Sequence, residues 1–121
     1  MSETVLVLGA SENPSRYSYI ATHMLLDYGH RPVLVGKRPG TIRDMKIMPS
    51  LPEELTTVDT VTLYLNPLHQ QQWIDKIMTL KPKRVIFNPG TENPEFEDLL
   101  VQQGIEAQVA CTLVLLRTGQ Y

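Results

Sequence analysis

The sequence predicts an α/β fold, a doubly wound and mainly parallel sheet held between two layers of helices in a three-layer α/β/α arrangement. Three observations point there. Short runs of β-branched and leucine residues end at Gly or Asn-Pro. They alternate with stretches whose apolar residues recur at helical spacing. The distance between successive runs suits a crossover helix joining two parallel neighbours. At 121 residues the chain is the size of one compact domain, so a single domain is expected over residues 1–121.

Thr4 to Leu8 is the first strand, a continuous apolar run of the kind covered on both faces, and Gly9 stops it. From Tyr17, apolar residues at Ile20, Ala21, Met24, Leu25 and Tyr28 define an amphipathic helix that Gly29 closes. Pro32 to Val35 is the second strand, ended by Gly36. Pro39, Gly40 and Pro49 interrupt the next segment, so Lys37 to Ser50 is expected to be loop with a short strand at Ile47 and Met48. Leu51 to Leu55 fits a single helical turn, and Val58 to Leu65 a central strand that Asn66 and Pro67 end. Pro67 suits the first position of a helix whose apolar stripe is Trp73, Ile74, Ile77, Met78 and Leu80. Arg84 to Phe87 returns as a strand and stops at Asn88, Pro89 and Gly90. Glu92 to Gln103 carries Phe96, Leu99 and Leu100 at helical spacing, Gly104 ends it, and Ile105 to Val109 is the last strand. Cys111 to Arg117 forms a final helix. There is no internal repeat and no linker rich in Gly or Ser, so one Rossmann-like unit accounts for the chain.

Composition narrows the function classes. No stretch approaches the roughly 20 apolar residues that a bilayer requires. The opening MSETVLVLGA lacks a basic leader followed by a longer apolar run, so a cytoplasmic location is expected. One cysteine, Cys111, cannot form an internal disulfide or make up a zinc site alone. Eleven basic against thirteen acidic residues give a net charge of −2, which offers no global attraction for nucleic acid. Any anion must be bound locally.

In sheets of this kind ligands bind beyond the carboxyl ends of the strands. The segments there are GASENPSR, GKRPG, NP and NPGTEN, all rich in residues that expose backbone amides or donors. The first follows a strand and opens a helix, so its amides and the positive end of the helix dipole favour a phosphate. Gly9, Ala10, Ser11, Asn13, Pro14, Arg16 and Ser18 are its candidate ligand residues, with Arg16 able to pair with an anion through its planar fork. The alternative is a plain turn made by Gly9 and Pro14, with Ser15 capping the helix. The second and third glycines of a GxGxxG pattern are missing. After the second strand come Gly36, Lys37 and Arg38, where an NAD site would place a carboxylate toward the ribose hydroxyls. Two cations there favour a phosphorylated ribose, as in coenzyme A or NADP. Asn66, Pro67, Asn88, Pro89 and Gly90 complete the rim, unless they serve only to stop strands.

These stretches, VLVLGASENPSRYSY, VLVGKRPG, LYLNP, VIFNPGTEN and the closing ACTLV, resemble in order the small stand-alone CoA-binding proteins. Their Rossmann-like domain is similar to the amino-terminal domain of the succinyl-CoA synthetase α subunit. The resemblance implies that Gly9, Ala10, Ser11, Arg16 and Ser18 lie against a nucleotide pyrophosphate. It also implies that Gly36, Lys37 and Arg38 lie near the adenosine end. Where many members read VNP after the second strand, this chain reads VGKRPG. The synthetase's catalytic histidine belongs to a separate domain, so ligase activity is not implied.

No catalytic set emerges from spacing. His23 and His30 fall within or at the end of the first helix, and His69 has no nucleophile or carboxylate spaced to make it a base. Cys111 reads best as a small buried residue, and Glu92 as a carboxylate favoured by a helix start. No metal site is expected. The leading expectation is therefore a non-catalytic module that binds coenzyme A or an acyl-CoA, for sensing, carriage or partner regulation. Two alternatives stand beside it: a small NADP-dependent oxidoreductase, and an interaction protein whose nucleotide site is vestigial and whose apolar tail LVLLRTGQY packs against a twin in a homodimer.

Overall fold

A computed structural model describes residues 2–121. Seven strands form one sheet in the order β3-β4-β2-β1-β5-β6-β7. Their ranges are β1 Thr4–Leu8, β2 Arg31–Val35, β3 Gly40–Ile42, β4 Met45–Met48, β5 Thr60–Leu63, β6 Arg84–Phe87 and β7 Glu106–Val109. All neighbours pair in parallel except β3 with β4. With β3 set aside, the parallel strands follow the order third, second, first, fourth, fifth, sixth, the arrangement of dinucleotide-binding sheets. The chain thus reverses its direction of travel across the sheet between β1 and β5.

The alternation of side chains along β1 creates two cores. Val5 and Val7 point to the layer containing α1 (Tyr17–Asp27) and α5 (Thr112–Arg117), where Leu25 and Leu116 meet them. Leu6 and Leu8 point to the opposite layer, where Trp73, Ile77 and Leu80 pack beside Phe96 and Leu100 of α4 (Pro94–Gln102). Phe87 and Phe96 meet edge to face with centroids 5.6 Å apart. Because every β1 residue from Val5 to Leu8 is fully buried, the strand reads as a continuous apolar run instead of an alternating one. The result is the expected three-layer Rossmann-like fold.

Four local expectations change. Lys37 to Ser50 holds two strands, β3 and β4, joined by a two-residue reversal in which Arg43 takes φ +52°. Each strand buries one isoleucine, Ile42 or Ile47, on the α1 side, too sparse a pattern to be read as a hairpin. Leu51 to Leu55 is not helical: it makes a turn closed by the Leu55 N–H on the Pro52 carbonyl, with both leucines packed on the core. The central strand is shorter than Val58 to Leu65, spanning Thr60–Leu63. The helix expected from Pro67 to Leu80 is divided into α2 (Pro67–Gln70), a 3-10 turn (Gln71–Trp73) and α3 (Ile74–Leu80). Gln70 explains the division. Fully buried, it donates to the Leu65 and Thr91 carbonyls and accepts from the Asn93 side chain, so α2 is tied to two loops while Trp73 turns into the core.

The apolar tail is used within the chain. Leu113, Leu115 and Leu116 are buried, and Tyr121 lies under the Arg84 guanidinium with 4.2 Å from ring centroid to Cζ. No helix among the described residues is long and apolar enough to cross a membrane.

Candidate functional site

The connections that leave β1 and β5 run to opposite sides of the sheet, so the loops after these parallel strands part and leave a crevice at the carboxyl edge. A cavity of about 930 Å³ fills it. Gly9 opens the floor with φ +95°; a Cβ there would stand 3.0 Å from the Tyr64 carbonyl carbon and oxygen. The Gly9 and Ala10 amides both donate to the Val35 carbonyl, which pins the first loop to the end of β2. Gly36 makes that approach possible, since a Cβ on it would fall 2.3 Å from the Ala10 carbonyl oxygen.

The first loop then holds itself in shape. Ser11 Oγ accepts from the Asn13 N–H, and Asn13 Oδ1 accepts from both the N–H and the hydroxyl of Ser15. Ser15 is thereby committed to the turn and does not cap α1. The residue at the cap position is Arg16, whose side chain makes no capping bond, and the first turn of α1 contains no carboxylate. Its leading amides and the dipole behind them face the cavity through Ser18 and Tyr17. α5 likewise has neither a side-chain cap at Cys111 nor a first-turn carboxylate, whereas α2 and α4 are capped. Asn66 caps α2 by accepting from the His69 N–H, while Asn93 caps α4, which carries Glu95 and Glu97 in its first turn.

Charge on the walls is local and positive. Arg16, Lys37 and Arg38 line the cavity and are exposed, and among the described residues none of the three takes part in an ion pair. One carboxylate also reaches this wall, that of Glu12, which accepts from the Thr41 N–H at 2.9 Å. A smaller cavity of about 300 Å³ shares Gly9 and Lys37 with the first and lies on the α3 side of the sheet. Leu8, Val35, Pro49, Leu65 and Trp73 give it apolar walls, with His69 and Gln72 at its border. Among the described residues no group of three or more His, Cys, Asp or Glu side chains converges to hold a metal ion.

Beneath the crevice sits a closed polar cluster. Asn88 donates to Thr62 Oγ1 at 2.7 Å and to the Leu63 carbonyl at 2.8 Å, and it accepts from the Thr112 N–H at 2.9 Å. The Thr62 and Thr112 hydroxyls bond each other. Tyr64 borders this cluster and the cavity; its buried hydroxyl lies beside the Thr62 and Thr112 hydroxyls but meets no partner at hydrogen-bonding geometry among the described residues, and burial pushes the phenol up to about 12.

Comparison with known proteins supplies the family. Residues 3–117 match the family described as the CoA binding domain. This chain belongs to that family. A crystal structure described as that of an uncharacterized protein is 43% identical, with a TM-score of 0.95 over 100% of this chain and 99% of the other. A Thermus thermophilus protein is 25% identical, with a TM-score of 0.85 over 98% of this chain and 90% of its own. A conserved hypothetical protein from Pyrococcus furiosus is 27% identical, with a TM-score of 0.72 over 87% of this chain and 90% of its own. Comparison with curated proteins finds no match. Coenzyme A is thus the ligand class of the domain to which this chain belongs.

Within this CoA binding domain, the structure gathers most of the residues expected from sequence around one opening. Gly9, Ala10, Ser11, Asn13, Arg16, Ser18, Lys37, Arg38, Asn66, Pro89 and Gly90 line the larger cavity, and Gly36 lines the smaller one. Pro14, Pro67 and Asn88 line neither. Pro14 stays on the outside of the first turn, Pro67 starts α2, and Asn88 spends its side chain on the cluster below. Sequence reasoning missed Glu12, Tyr17, Pro39, Tyr64 and Thr91 in the larger cavity and the apolar wall around Trp73 in the smaller one. Tyr64 carried a usable signal, as the last residue before Asn-Pro at a strand exit. Glu92, read from the sequence as a carboxylate favoured by a helix start, accepts from the Gly90 N–H at 2.8 Å and so braces its own loop.

Proposed function

We propose that the protein holds coenzyme A, free or acylated, across the β1/β5 crevice as a binding module with no reaction of its own. One observation carries this reading: the cavity combines an uncapped, carboxylate-free helix start with three cations that form no ion pair among the described residues. The pyrophosphate lies at the amides of α1 with Arg16 beside it, as anions do at free helix starts. The ribose phosphate faces Lys37 and Arg38, and the adenine enters the apolar cavity against Trp73. The non-catalytic role is supported by the use of nearby functional side chains elsewhere: Glu92 braces a turn and Asn88 a buried cluster.

Thermal shift tests the ligand. A ligand at about 100 times its Kd adds about 2.7 kcal/mol to stability. Unfolding entropy of about 2.1 cal/mol/K per residue then makes that a rise of about 11 °C for this chain. CoA is expected to give the largest shift. Dephospho-CoA, lacking the ribose phosphate, binds about tenfold more weakly if the two cations supply about 1.4 kcal/mol. NAD gives less, and NADP is the competitor to exclude. A larger shift with NADP than with CoA favours the oxidoreductase reading. No shift with any of the four ligands refutes nucleotide binding here.

A further inference from the structure

The ribose end of the site contains a carboxylate that arrives from an unusual direction. A dinucleotide-binding sheet takes its ribose carboxylate from the end of the second strand, where this chain has Gly36, Lys37 and Arg38. Here Glu12 crosses from the first loop instead. Its Oε2 accepts from the Thr41 N–H at 2.9 Å, and its carboxylate lies directly on Gly40. A Cβ at Gly40 would stand 2.8 Å from Glu12 Cδ and 3.0 Å from both carboxylate oxygens. The Gly40 backbone is not in the left-handed region, so its conformation does not call for glycine; a Cβ there would instead push the end of the flexible Glu12 side chain from its place.

Glu12, Lys37 and Arg38 line the same cavity, and Thr41 follows them by only a few residues. We infer that Glu12 is a positioning residue for ligand specificity: through the start of β3 it clamps the Lys37–Pro39 segment to the first loop and so holds Lys37 and Arg38 toward the ribose phosphate. This rests on the CoA reading above. The physical argument concerns entropy. Lys37 and Arg38 are long, exposed side chains on a loop that otherwise has β2 behind it and the short edge strand β3 ahead. A charge-assisted bond to the Thr41 amide removes loop freedom before the ligand arrives, so less ordering is left to pay at binding. A carboxylate lining the same cavity as two cations would oppose a phosphate if it were free to turn toward it. Held on the Thr41 N–H and wedged against Gly40, it is kept to one place.

The test uses the full chain with Glu12→Ala, Glu12→Gln and Gly40→Ala, each titrated calorimetrically with CoA and with dephospho-CoA. Amide exchange at Thr41 is followed in the absence of ligand. Glu12→Ala and Gly40→Ala are expected to reduce the preference for CoA from about tenfold to about twofold, leaving dephospho-CoA affinity within about twofold of the parent. Glu12→Gln keeps an acceptor for the Thr41 N–H and retains the preference. The double variant Glu12→Ala/Gly40→Ala is no worse than either single one, because both act on one contact. Thr41 exchange quickens in Glu12→Ala and Gly40→Ala but not in Glu12→Gln. A preference unchanged in Glu12→Ala overturns the inference. So does Glu12→Gln behaving like Glu12→Ala, or Glu12→Ala binding CoA more tightly, which would make Glu12 a repelling charge only. If the parent binds neither ligand, the CoA reading falls separately and Thr41 exchange alone decides whether the clamp exists.

Discussion

Replacing Asn88 by alanine separates a ligand contact from a structural one. Asn88 is 2% exposed and supplies three hydrogen bonds, two donated to Thr62 Oγ1 and the Leu63 carbonyl and one accepted from the Thr112 N–H. Thr62 keeps its bond to the Thr112 hydroxyl after the change, but the Thr112 N–H, on a fully buried residue, is left without a partner. An orphaned buried donor costs about 2 kcal/mol, and the two other lost bonds add about 0.5 kcal/mol each, giving about 3 kcal/mol. With an unfolding entropy near 0.25 kcal/mol/K for a chain of this length, the melting temperature of the unliganded variant falls by about 12 °C. Asn88→Asp keeps the acceptor for Thr112 but turns a carboxylate oxygen onto the Leu63 carbonyl, so it is destabilised at least as much. Differential scanning calorimetry measures both, and CoA titration below the transition measures binding. A variant that melts within about 2 °C of the parent while losing about tenfold in CoA affinity refutes the reasoning and returns Asn88 to the ligand shell.

Arg16→Ala removes an exposed cation that makes no ion pair among the described residues, so the unliganded melting point stays nearly unchanged while CoA affinity falls about tenfold; a collapsed fold contradicts this. Burial holds the Tyr64 phenol neutral to about 12, against 10 in an ordinary tyrosine, so its contribution to stability is complete below pH 10 and is lost as pH rises toward 12. Tyr64→Phe, which deletes a hydroxyl with no partner among the described residues, is expected to keep stability at pH 7 and to flatten that alkaline decline in a melting series; a loss of stability at neutral pH refutes this. Tyr121 shifts in the same direction, chiefly by burial, so part of the decline remains in Tyr64→Phe. Trp73 is the single tryptophan and lines the smaller cavity, so its fluorescence should change with CoA and with adenosine 3′,5′-bisphosphate but not with pantetheine; an equal response to pantetheine rules out adenine as its neighbour.

The strong periodic segments were legible without coordinates. Thr4–Leu8 and Arg84–Phe87 have the boundaries read from sequence, because an apolar run closed by Gly or Asn-Pro admits few other conformations. The rim was legible for a topological reason: once the strands are parallel, the residues after each of them reach the same edge. Harder to read were the elements whose signals depend on distant partners. The β3–β4 hairpin offers one buried residue per strand, and Gln70 looks like a surface glutamine in the run HQQQW. Its burial follows from the Leu65 and Thr91 carbonyls and the Asn93 side chain, none of which local spacing reveals.

Sequence alone determined the class of fold, the edge that carries the candidate site and the local positive charge of Arg16, Lys37 and Arg38, since each follows from short-range pattern and chain direction. Tertiary structure decided which polar residues face the cavity and which face inward. It turned Asn88 into a buried strut, set Glu12 across to Thr41 and gave Trp73 a cavity wall to line. The physical reason is that a polar side chain goes where its hydrogen bonds can be completed, and those partners, 24 residues away for Asn88 and Thr112 and 29 for Glu12 and Thr41, meet only when the sheet has assembled.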